Sequence, residues 1–379
     1  MRSLLSTKEQ RQLRLLEILI QKRDWTRLNE LAQTLECTER ILKNDLNELR
    51  TAFPTFKIQS SINGIMINLD TGASIEDIYI YFLSHSQSFQ LLEYMFFNEG
   101  LPIYRTVEKL HSSNANLYRL GNRITTILSK QFQIELSFTP TSLNGNEIDI
   151  RYFYAQYFSE RYYFLDWPFP DISEKVITEF ADYFYKSTNY PMRFAIYRMY
   201  KLMLAINIHR VKNGHFIDLP NHFYQDYYPV LMNLPDFEDK LAYFSQQFGL
   251  EMTPDIVAQI FISFLQNDIF LDPQQFFDSL NKNEESRYSY QLLSQILERL
   301  SKAFNIKFAN HDELIWHLHN TAYFERQETF STPLLFEQKG ITLEKFKVYF
   351  PDFMESARQE LAQYRQAIGQ HDHPEQLEH

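Results

Sequence analysis

The sequence predicts a mainly α-helical protein in which two winged helix-turn-helix modules with small β wings precede two helical bundles. Three observations predict this order. Apolar residues recur at helical spacing along most of the 379 residues. Hairpin signals at Asn63-Gly64 and Asn144-Gly145 interrupt the helices of the first part. Beyond about residue 150, prolines divide a helical pattern into short segments that suit bundles.

Residues 1–72 are predicted to form the first module. A first amphipathic helix is expected to begin after Ser6. Thr26 is the expected N-cap of a short second helix that runs through Leu35. A tight turn then leads into a third helix, for which Thr38 is the expected N-cap. Three helices in this rhythm are typical of a helix-turn-helix.

The third helix has two faces of different character. Its predicted inner stripe consists of Ile41, Leu42, Leu46, Leu49 and Phe53. Its outward face, at i, i+3, i+4 and i+7, carries Arg40, Lys43, Asn44 and Asn47. Side chains of these types read phosphates and base edges from a helix in the major groove. We therefore predict that Thr38 and these four residues contact DNA, although a solvated helix face is the simpler alternative.

A wing is predicted beside this helix. Two short alternating segments, Lys57–Ser61 and Ile65–Leu69, flank the Asn63-Gly64 turn signal. Because winged helices bind DNA with the wing next to the recognition helix, the hairpin favours DNA contact over a merely solvated face.

Residues 73–165 repeat this order of elements without repeating the sequence. Helices are expected through Tyr81, Leu92 and Val107, followed by a long helix and a second wing near Phe132–Phe138. The candidate DNA-binding residues of the long helix are Asn116, Arg119 and Arg123. For both arginines, a structural pairing with a neighbouring acid is an equally open alternative.

The formal net charge of -11 looks unfavourable for a protein that binds nucleic acid. The charge is divided unevenly, however: the balance is +2 over residues 1–72, -2 over 73–165 and -11 over the remainder. An acidic C-terminal region repels DNA, so any contact is expected in the N-terminal part.

Composition and motifs exclude several classes of protein. Cys37 is the single cysteine, which rules out an internal disulfide and a cysteine-based metal cage. No apolar run approaches the length of a bilayer span, so a cytoplasmic protein without membrane contact is expected. The motifs of phosphate loops, metalloproteases and serine hydrolases do not occur, so neither an enzyme nor a cofactor is expected. His317 and His319 point about 200 degrees apart on a helix, which argues against a metal site.

Three stretches carry a family resemblance. They are Thr38–Leu46 in the first module, Ser113–Arg119 in the second, and Asn146–Phe153 followed by Trp167-Pro168-Phe169. Through them, over nearly its whole length, the chain resembles the Mga and AtxA family of virulence and carbohydrate-responsive transcriptional regulators of Gram-positive bacteria.

The resemblance implies two phosphotransferase-system regulation domains (PRDs), each an antiparallel helix bundle. These would be residues 166–282 and 283–379, with the polar stretch 281–289 as a linker between them. The implied phosphoacceptor candidates are His209 or His215 in the first PRD and His317 or His319 in the second. Members of the family also carry a C-terminal domain that is similar to an EIIB component. No part of the 379 residues is assigned to such a domain.

The implied mechanism joins three partners: double-stranded promoter DNA, a second copy of the chain, and phosphotransferase proteins such as HPr. Phosphorylation would add negative charge to a bundle, shift the packing of a homodimer and change the spacing of the DNA-binding heads. Two other classes stay open from the residues. One is a plasmid replication initiator with tandem winged helices, against which the long acidic bundle argues. The other is a helical interaction scaffold that does not bind DNA.

Overall fold

The computed structural model describes residues 1–163, 166–185, 194–218, 232, 234–265, 270, 273–325, 334–335 and 346–368. The chain divides into two units. The first comprises Met1–Asn146, Gln156–Asp166 and Pro333–Phe336, and the second comprises Glu147–Ala155, Trp167–Thr332 and Glu337–His379. The predicted mainly helical class, with two small hairpins in the first part, is confirmed. The second hairpin, however, turns at Thr139-Pro140, and the predicted turn residues Asn144-Gly145 lie at the end of its second strand.

The first module of the first unit follows a short 3-10 helix. Its elements are α1 (Thr7–Lys22), α2 (Leu28–Thr34), α3 (Glu39–Ala52), β1 (Phe56–Ser61) and β2 (Gly64–Leu69). The helix α1 begins directly after Ser6, as predicted, and Ser6 caps it in a capping box with Glu9. The strands pair antiparallel from Phe56 opposite Leu69 to Ser61 opposite Gly64, so the predicted wing is present.

The predicted N-cap of α2 is wrong. This helix begins at Leu28 after Arg27, and Thr26 instead forms an antiparallel bridge with Ile65 of β2. The Thr26 nitrogen donates to the Ile65 carbonyl at 2.9 Å, and the Ile65 nitrogen donates back at 2.8 Å. The backbone of Thr26 thus serves as a third, one-residue strand of the wing.

The second module repeats the order of the first. Its elements are α4 (Ile75–His85), α5 (Gln87–Phe97), α6 (Ile103–Lys109), α7 (Asn114–Gln131), β3 (Glu135–Phe138) and β4 (Thr141–Asn144). Ser113 caps α7 by accepting a hydrogen bond from the Asn116 nitrogen at 3.2 Å. Apolar side chains of α5 and α7, among them Leu92, Met95 and Ile124, are fully buried.

The helix α8 (Glu147–Arg161) contributes to both units, because residues 147–155 belong to the second and 156–161 to the first. In the first unit, the hydroxyls of Tyr157 and Tyr162 both donate to the Glu93 carboxylate. Burial, followed by the negative charge of Glu93, raises the pKa of Tyr157 well above its usual value. Both tyrosines therefore stay neutral donors that hold α8 against α5.

A two-residue segment from late in the sequence is also built into the first unit. Leu334 and Leu335 are each 1% exposed, and their backbone nitrogens donate to the Glu160 carboxylate at 2.6 and 2.8 Å. The Leu335 carbonyl accepts from the Arg2 guanidinium at 3.2 Å. The first unit is thus completed by residues more than 170 positions away from Glu160.

The second unit contains eight described helices besides the first part of α8. They are α9 (Glu174–Tyr185), α10 (Phe194–Lys212), α11 (Phe237–Phe248), α12 (Pro254–Leu265), α13 (Pro273–Ser279), α14 (Glu284–Phe304), α15 (His311–Glu325) and α16 (Pro351–Ala367). Aromatic rings of α9, α11 and α12 form one core, in which Phe180 contacts Phe244 at 4.8 Å and Phe261 at 5.7 Å between centroids. A second core around Leu293, Ile315 and Trp316 is shared by the four helices α13, α14, α15 and α16.

The predicted linker at 281–289 is largely wrong. Asn283 caps α14 by accepting from the Ser286 nitrogen at 3.1 Å, and the helix starts at Glu284. Ser286 and Ser289 are both fully buried. These two serines lie on the inner face of α14, whereas Glu284, Glu285 and Arg287 are exposed on the same helix. Only the turn at 280–283 connects α13 to α14.

Candidate DNA-binding surface and regulatory histidines

The helix α3 is anchored by its inner face. The Thr38 hydroxyl accepts from the Ile41 nitrogen at 3.3 Å and starts the helix where the sequence predicts. Leu42, Leu46 and Leu49 are at most 2% exposed. Their burial fixes the rotation of α3 and turns its polar side chains outward.

A buried carboxylate completes this anchor, and sequence reasoning missed it. Asp45 is 2% exposed and accepts from Arg11 Nε of α1 at 2.6 Å and from Gln12 Nε2 at 3.1 Å. The pKa of Arg11 is raised, and the largest cause is the side-chain hydrogen bond to Asp45. A charge four residues after Ile41, within an otherwise apolar stripe, is the only sequence signal of this pair.

The prediction that Ile41 belongs to the buried stripe is wrong. Ile41 is 39% exposed, whereas Asp45 takes the inner position one turn later. Ile41 instead borders a shallow pocket between α2 and α3 that Asn29, Gln33 and Cys37 also line. It stands at the edge of the outward face, where an apolar side chain can meet a thymine methyl.

The structure brings the predicted recognition residues together on that outward face. Thr38, Arg40, Lys43, Asn44 and Asn47 are all exposed. Among the described residues, the side chains of Arg40, Lys43 and Asn44 make no ion pair and no hydrogen bond. Two cations and an amide therefore face outward from one helix without an intramolecular partner in the described part of the chain, as phosphate and base contacts require.

Arg50 positions the candidate recognition helix against the wing, and the sequence pattern did not indicate this residue. Its guanidinium donates to the Ile58 carbonyl at 3.0 Å, to the Ser60 hydroxyl and to Asn47 Oδ1 at 3.0 Å. The bonds to Ile58 and Ser60 join α3 to strand β1, and the bond to Asn47 lies within α3 itself. The outward face of α3 and the wing are therefore held as one rigid surface.

Two acids flank the recognition residues and would repel phosphates. The Glu48 carboxylate is paired with Lys8 at 2.6 Å and accepts from Gln12 at 2.9 Å. The hydrogen bond from Lys8, and then that from Gln12, lowers the pKa of Glu48. Lys8 thus offsets part of the negative charge on this face, whereas Glu39 is exposed at the start of the helix.

The second module holds its candidate residues differently. Asn116 donates to the Ser112 hydroxyl at 2.8 Å and accepts from Arg119 at 2.8 Å. Arg123 points into the unit, where it donates to the Leu4 carbonyl at 2.6 Å and to the Ser88 hydroxyl at 2.7 Å. For Arg123 the geometry favours the structural alternative, because its donors tie α7 to α5 and to the N-terminus.

The four candidate phosphoacceptor histidines differ in exposure. His209 and His215 are half-buried at the end of α10 and just beyond it. His317 on α15 is 30% exposed, with its Nε2 3.6 Å from the Glu313 carboxylate. His319 is fully buried: its Nδ1 lies 2.7 Å from the Ser289 hydroxyl, which is 2.6 Å from the Tyr364 hydroxyl. The ring of Phe276 lies 4.6 Å from the His319 ring, so this imidazole is enclosed on several sides.

Arg210 directly follows His209 in the sequence, but its guanidinium is turned to a buried carboxylate. Arg210 is 1% exposed and donates to both oxygens of Glu147, at 2.9 and 2.6 Å. Burial favours protonation of Glu147, but hydrogen bonds and charge from Arg210 and then Arg151 outweigh it and lower the pKa of Glu147. The guanidinium of Arg210 is therefore committed to a buried carboxylate.

Arg151 completes this buried ionic cluster. Its Nε donates to Glu147 at 2.8 Å, and its terminal nitrogens donate to the carbonyls of Gln259 and His215 at 2.8 and 3.0 Å. The cluster joins α8, α10 and α12 and fixes the backbone at His215. Glu147 and Arg151 belong to the distinctive 146–153 stretch, so that stretch supplies core contacts of the second unit.

Metal sites and membrane spans are both absent from the described residues. No group of histidine, cysteine and acidic side chains there is arranged to hold a metal ion. None of the helices in the described ranges is long and apolar enough to cross a bilayer.

Comparisons with protein families cover most of the chain. The family model of the M protein trans-acting positive regulator (MGA) HTH domain matches residues 6–65. The Mga helix-turn-helix domain matches residues 71–158. The MGA PRD domain matches residues 173–379, which is more than half of the sequence.

Similar curated proteins are regulators. The chain is 40% identical over 369 residues to a putative trans-acting regulator of Streptococcus pneumoniae serotype 4, covering 97% of this chain and 75% of that protein. It is 21% identical to the capsule synthesis positive regulator AcpB of Bacillus anthracis, covering 93% and 76%. It is 25% identical to the anthrax toxin expression trans-acting positive regulator of the same organism, covering 55% and 44%.

Proposed function

Because the chain belongs to the Mga family of trans-acting positive regulators, we propose that it reads promoter DNA in the cytoplasm mainly through α3 and its wing. Family membership makes it a DNA-binding transcriptional regulator with helix-turn-helix and PRD domains. This favours a regulator over a replication initiator or a scaffold, and it supports the proposal of a regulatory rather than a catalytic role. The observation that carries the choice of α3 is its exposed Arg40, Lys43 and Asn44, fixed beside the wing by Arg50.

Genome-wide mapping of bound sites, combined with transcript profiling, tests this function. We expect binding sites upstream of genes whose transcripts fall when the protein is deleted. An Arg40→Ala/Lys43→Ala strain should lose both the sites and the transcripts while keeping the protein level. Binding sites confined to a plasmid origin would support the initiator instead, and no sites at all would support the scaffold.

The proposed control of this activity is phosphorylation by phosphotransferase proteins such as HPr. A phosphoryl donor must bring its phosphorus within about 3–3.5 Å of the accepting nitrogen. The partly exposed imidazoles of His209, His215 and His317 meet this condition better than the enclosed His319. We therefore narrow the expected acceptors to these three.

Labelling with purified enzyme I, HPr and phosphoenolpyruvate tests the acceptors. We expect acid-labile phosphate that is lost from a His209→Ala/His215→Ala/His317→Ala variant and retained in His319→Asn. His85→Ala and His111→Ala, both in the first unit, serve as matched controls that keep the label. Absence of label from the parent would show that the bundles sense something else.

Homodimerisation is the third part of the proposal. One recognition helix with a mixed charge binds DNA weakly. In a dimer, two DNA-binding modules bind two half-sites, and the first contact raises the effective concentration for the second. The PRD-like second unit is the expected contact. Sedimentation at micromolar concentration should show a dimer, and a monomer with and without DNA would contradict this part alone.

A further inference from the structure

The tip of the first wing carries an isoleucine that points away from the protein. Ile62 is 101% exposed, the largest exposed fraction of any large apolar side chain among the described residues. Its neighbours Ser60, Ser61 and Asn63 are exposed and uncharged. The single cation of the two strands, Lys57, is paired with Asp70 at the base of the hairpin. The tip therefore cannot bind DNA as a cationic arm does.

This tip is held rigidly in place. Ser61 Oγ accepts from the Asn63 nitrogen at 3.1 Å, which shapes the two-residue loop. The bridge between Thr26 and Ile65 supports the strand directly after it. Gly64 makes that bridge possible, because its φ is +125° and a Cβ there would stand 2.2 Å from the Thr26 carbonyl oxygen. Ile62 is presented on a stiff support that loses little conformational freedom on binding.

The support is fixed relative to the recognition helix. Arg50 joins Asn47 on the outward face of α3 to Ile58 and Ser60 of β1. When α3 lies in the major groove, the wing beside it is carried to the backbone and to the adjacent minor groove. An apolar side chain there has one favourable partner, which is the stacked face of a base pair exposed by a kink.

We propose that Ile62 is a wedge that enters the minor groove and partly unstacks one base step, bending the DNA toward the major groove. The proposal rests on the DNA-binding role proposed above. Asn63 is positioned to donate from its amide to the adenine N3 or thymine O2 acceptors beside the wedge. The favoured site is a flexible TpA or CpA step, which unstacks at least cost.

A fluorescent duplex tests the wedge directly. The probe is a 40-base-pair A·T-rich duplex with one central TpA step, 2-aminopurine next to that step, and a donor and an acceptor dye at its ends. At 50 mM salt the parent protein should bind it, raise the 2-aminopurine fluorescence through unstacking, and shorten the distance between the ends. Ile62→Ala should bind about tenfold more weakly and lose both optical signals, with an unchanged salt dependence.

Two variants make the result specific. Asn68→Ala removes an exposed uncharged side chain at the base of the same wing and should behave as the parent. Ile62→Leu keeps an apolar wedge and should retain most of the 2-aminopurine signal. Thermal melts should coincide for all of these variants, because Ile62 contributes nothing to the folded core.

The outcomes separate the wedge from DNA binding itself. Parent and Ile62→Ala proteins that bind and unstack equally would overturn the wedge and leave the role of α3 intact. A parent protein that does not bind the duplex even at 50 mM salt, where nonspecific phosphate contacts are strong, would overturn both.

Discussion

The two helix-turn-helix modules of the first unit share an order of elements but use their outward cations differently. On α3, Arg40 and Lys43 are exposed and have no partner among the described residues, whereas on α7 Arg119 is bonded to Asn116 and Arg123 points inward. The same order of elements therefore leaves both cations without an intramolecular partner in one module, within the described residues, and gives both cations such partners in the other.

The two wings also differ in whether an apolar side chain is exposed or packed against the neighbouring helix. The first projects an exposed Ile62, while Phe138 of the second wing packs on α7 so closely that a Cβ at Gly121 would lie 2.4 Å from its ring. Tyr118 contacts the same phenylalanine at 5.1 Å between centroids. The glycine in α7 thus allows the second wing to pack closely against that helix. The comparison shows that a helix-turn-helix order of elements does not by itself determine whether its outward polar residues and its wing stay exposed or make intramolecular contacts.

The largest expected effect falls on the first module. Arg40→Ala/Lys43→Ala should lower the salt slope of binding by about 1.8, which corresponds to an affinity loss of about 60-fold at 0.1 M salt. Arg14→Ala/Lys22→Ala removes the same charge from α1 and should change the slope far less. A titration in which both pairs behave alike would mean that general charge, and not the α3 face, drives binding.

Arg123→Ala should lower the free energy of unfolding of the first unit by about 2 kcal/mol, because it removes charged hydrogen bonds to Leu4 and Ser88. Chemical denaturation measures this loss. The salt slope of DNA binding should not change. A lowered slope with unchanged stability would instead place Arg123 on the DNA.

Arg119→Ala is expected to be milder. Its guanidinium is exposed although it is bonded to Asn116, so one phosphate contact at most is lost. The slope should fall by about 0.9 and the affinity by about eightfold at 0.1 M salt. The Arg40→Ala/Lys43→Ala variant, measured on the same duplex, is the reference. If Arg119→Ala weakened binding as much as that double variant does, the contrast between the two modules would be contradicted.

The smallest effect compares the two helix caps. Thr38→Ala and Ser113→Ala should each cost about 1 kcal/mol of stability, since each removes one N-cap hydrogen bond. At a temperature where both variants are folded, only Thr38→Ala should weaken DNA binding as well. Equal binding by the two variants would limit Thr38 to its capping role.

The sequence by itself determined the order of elements and most of their starts. The start of α1 after Ser6, the Thr38 cap and the Asn63-Gly64 hairpin depend on residues within a few positions of one another, so a local pattern predicts them. The outward face of α3 follows from helical period in the same way.

Tertiary structure decided which polar side chains turn inward. Asp45 meets Arg11 across 34 positions, Arg210 meets Glu147 across 63, and Arg123 meets Leu4 across 119. Sequence periodicity contains no information on such distant partners. A charged side chain is buried only where its partner is brought to it, and the packing of the helices decides where that happens.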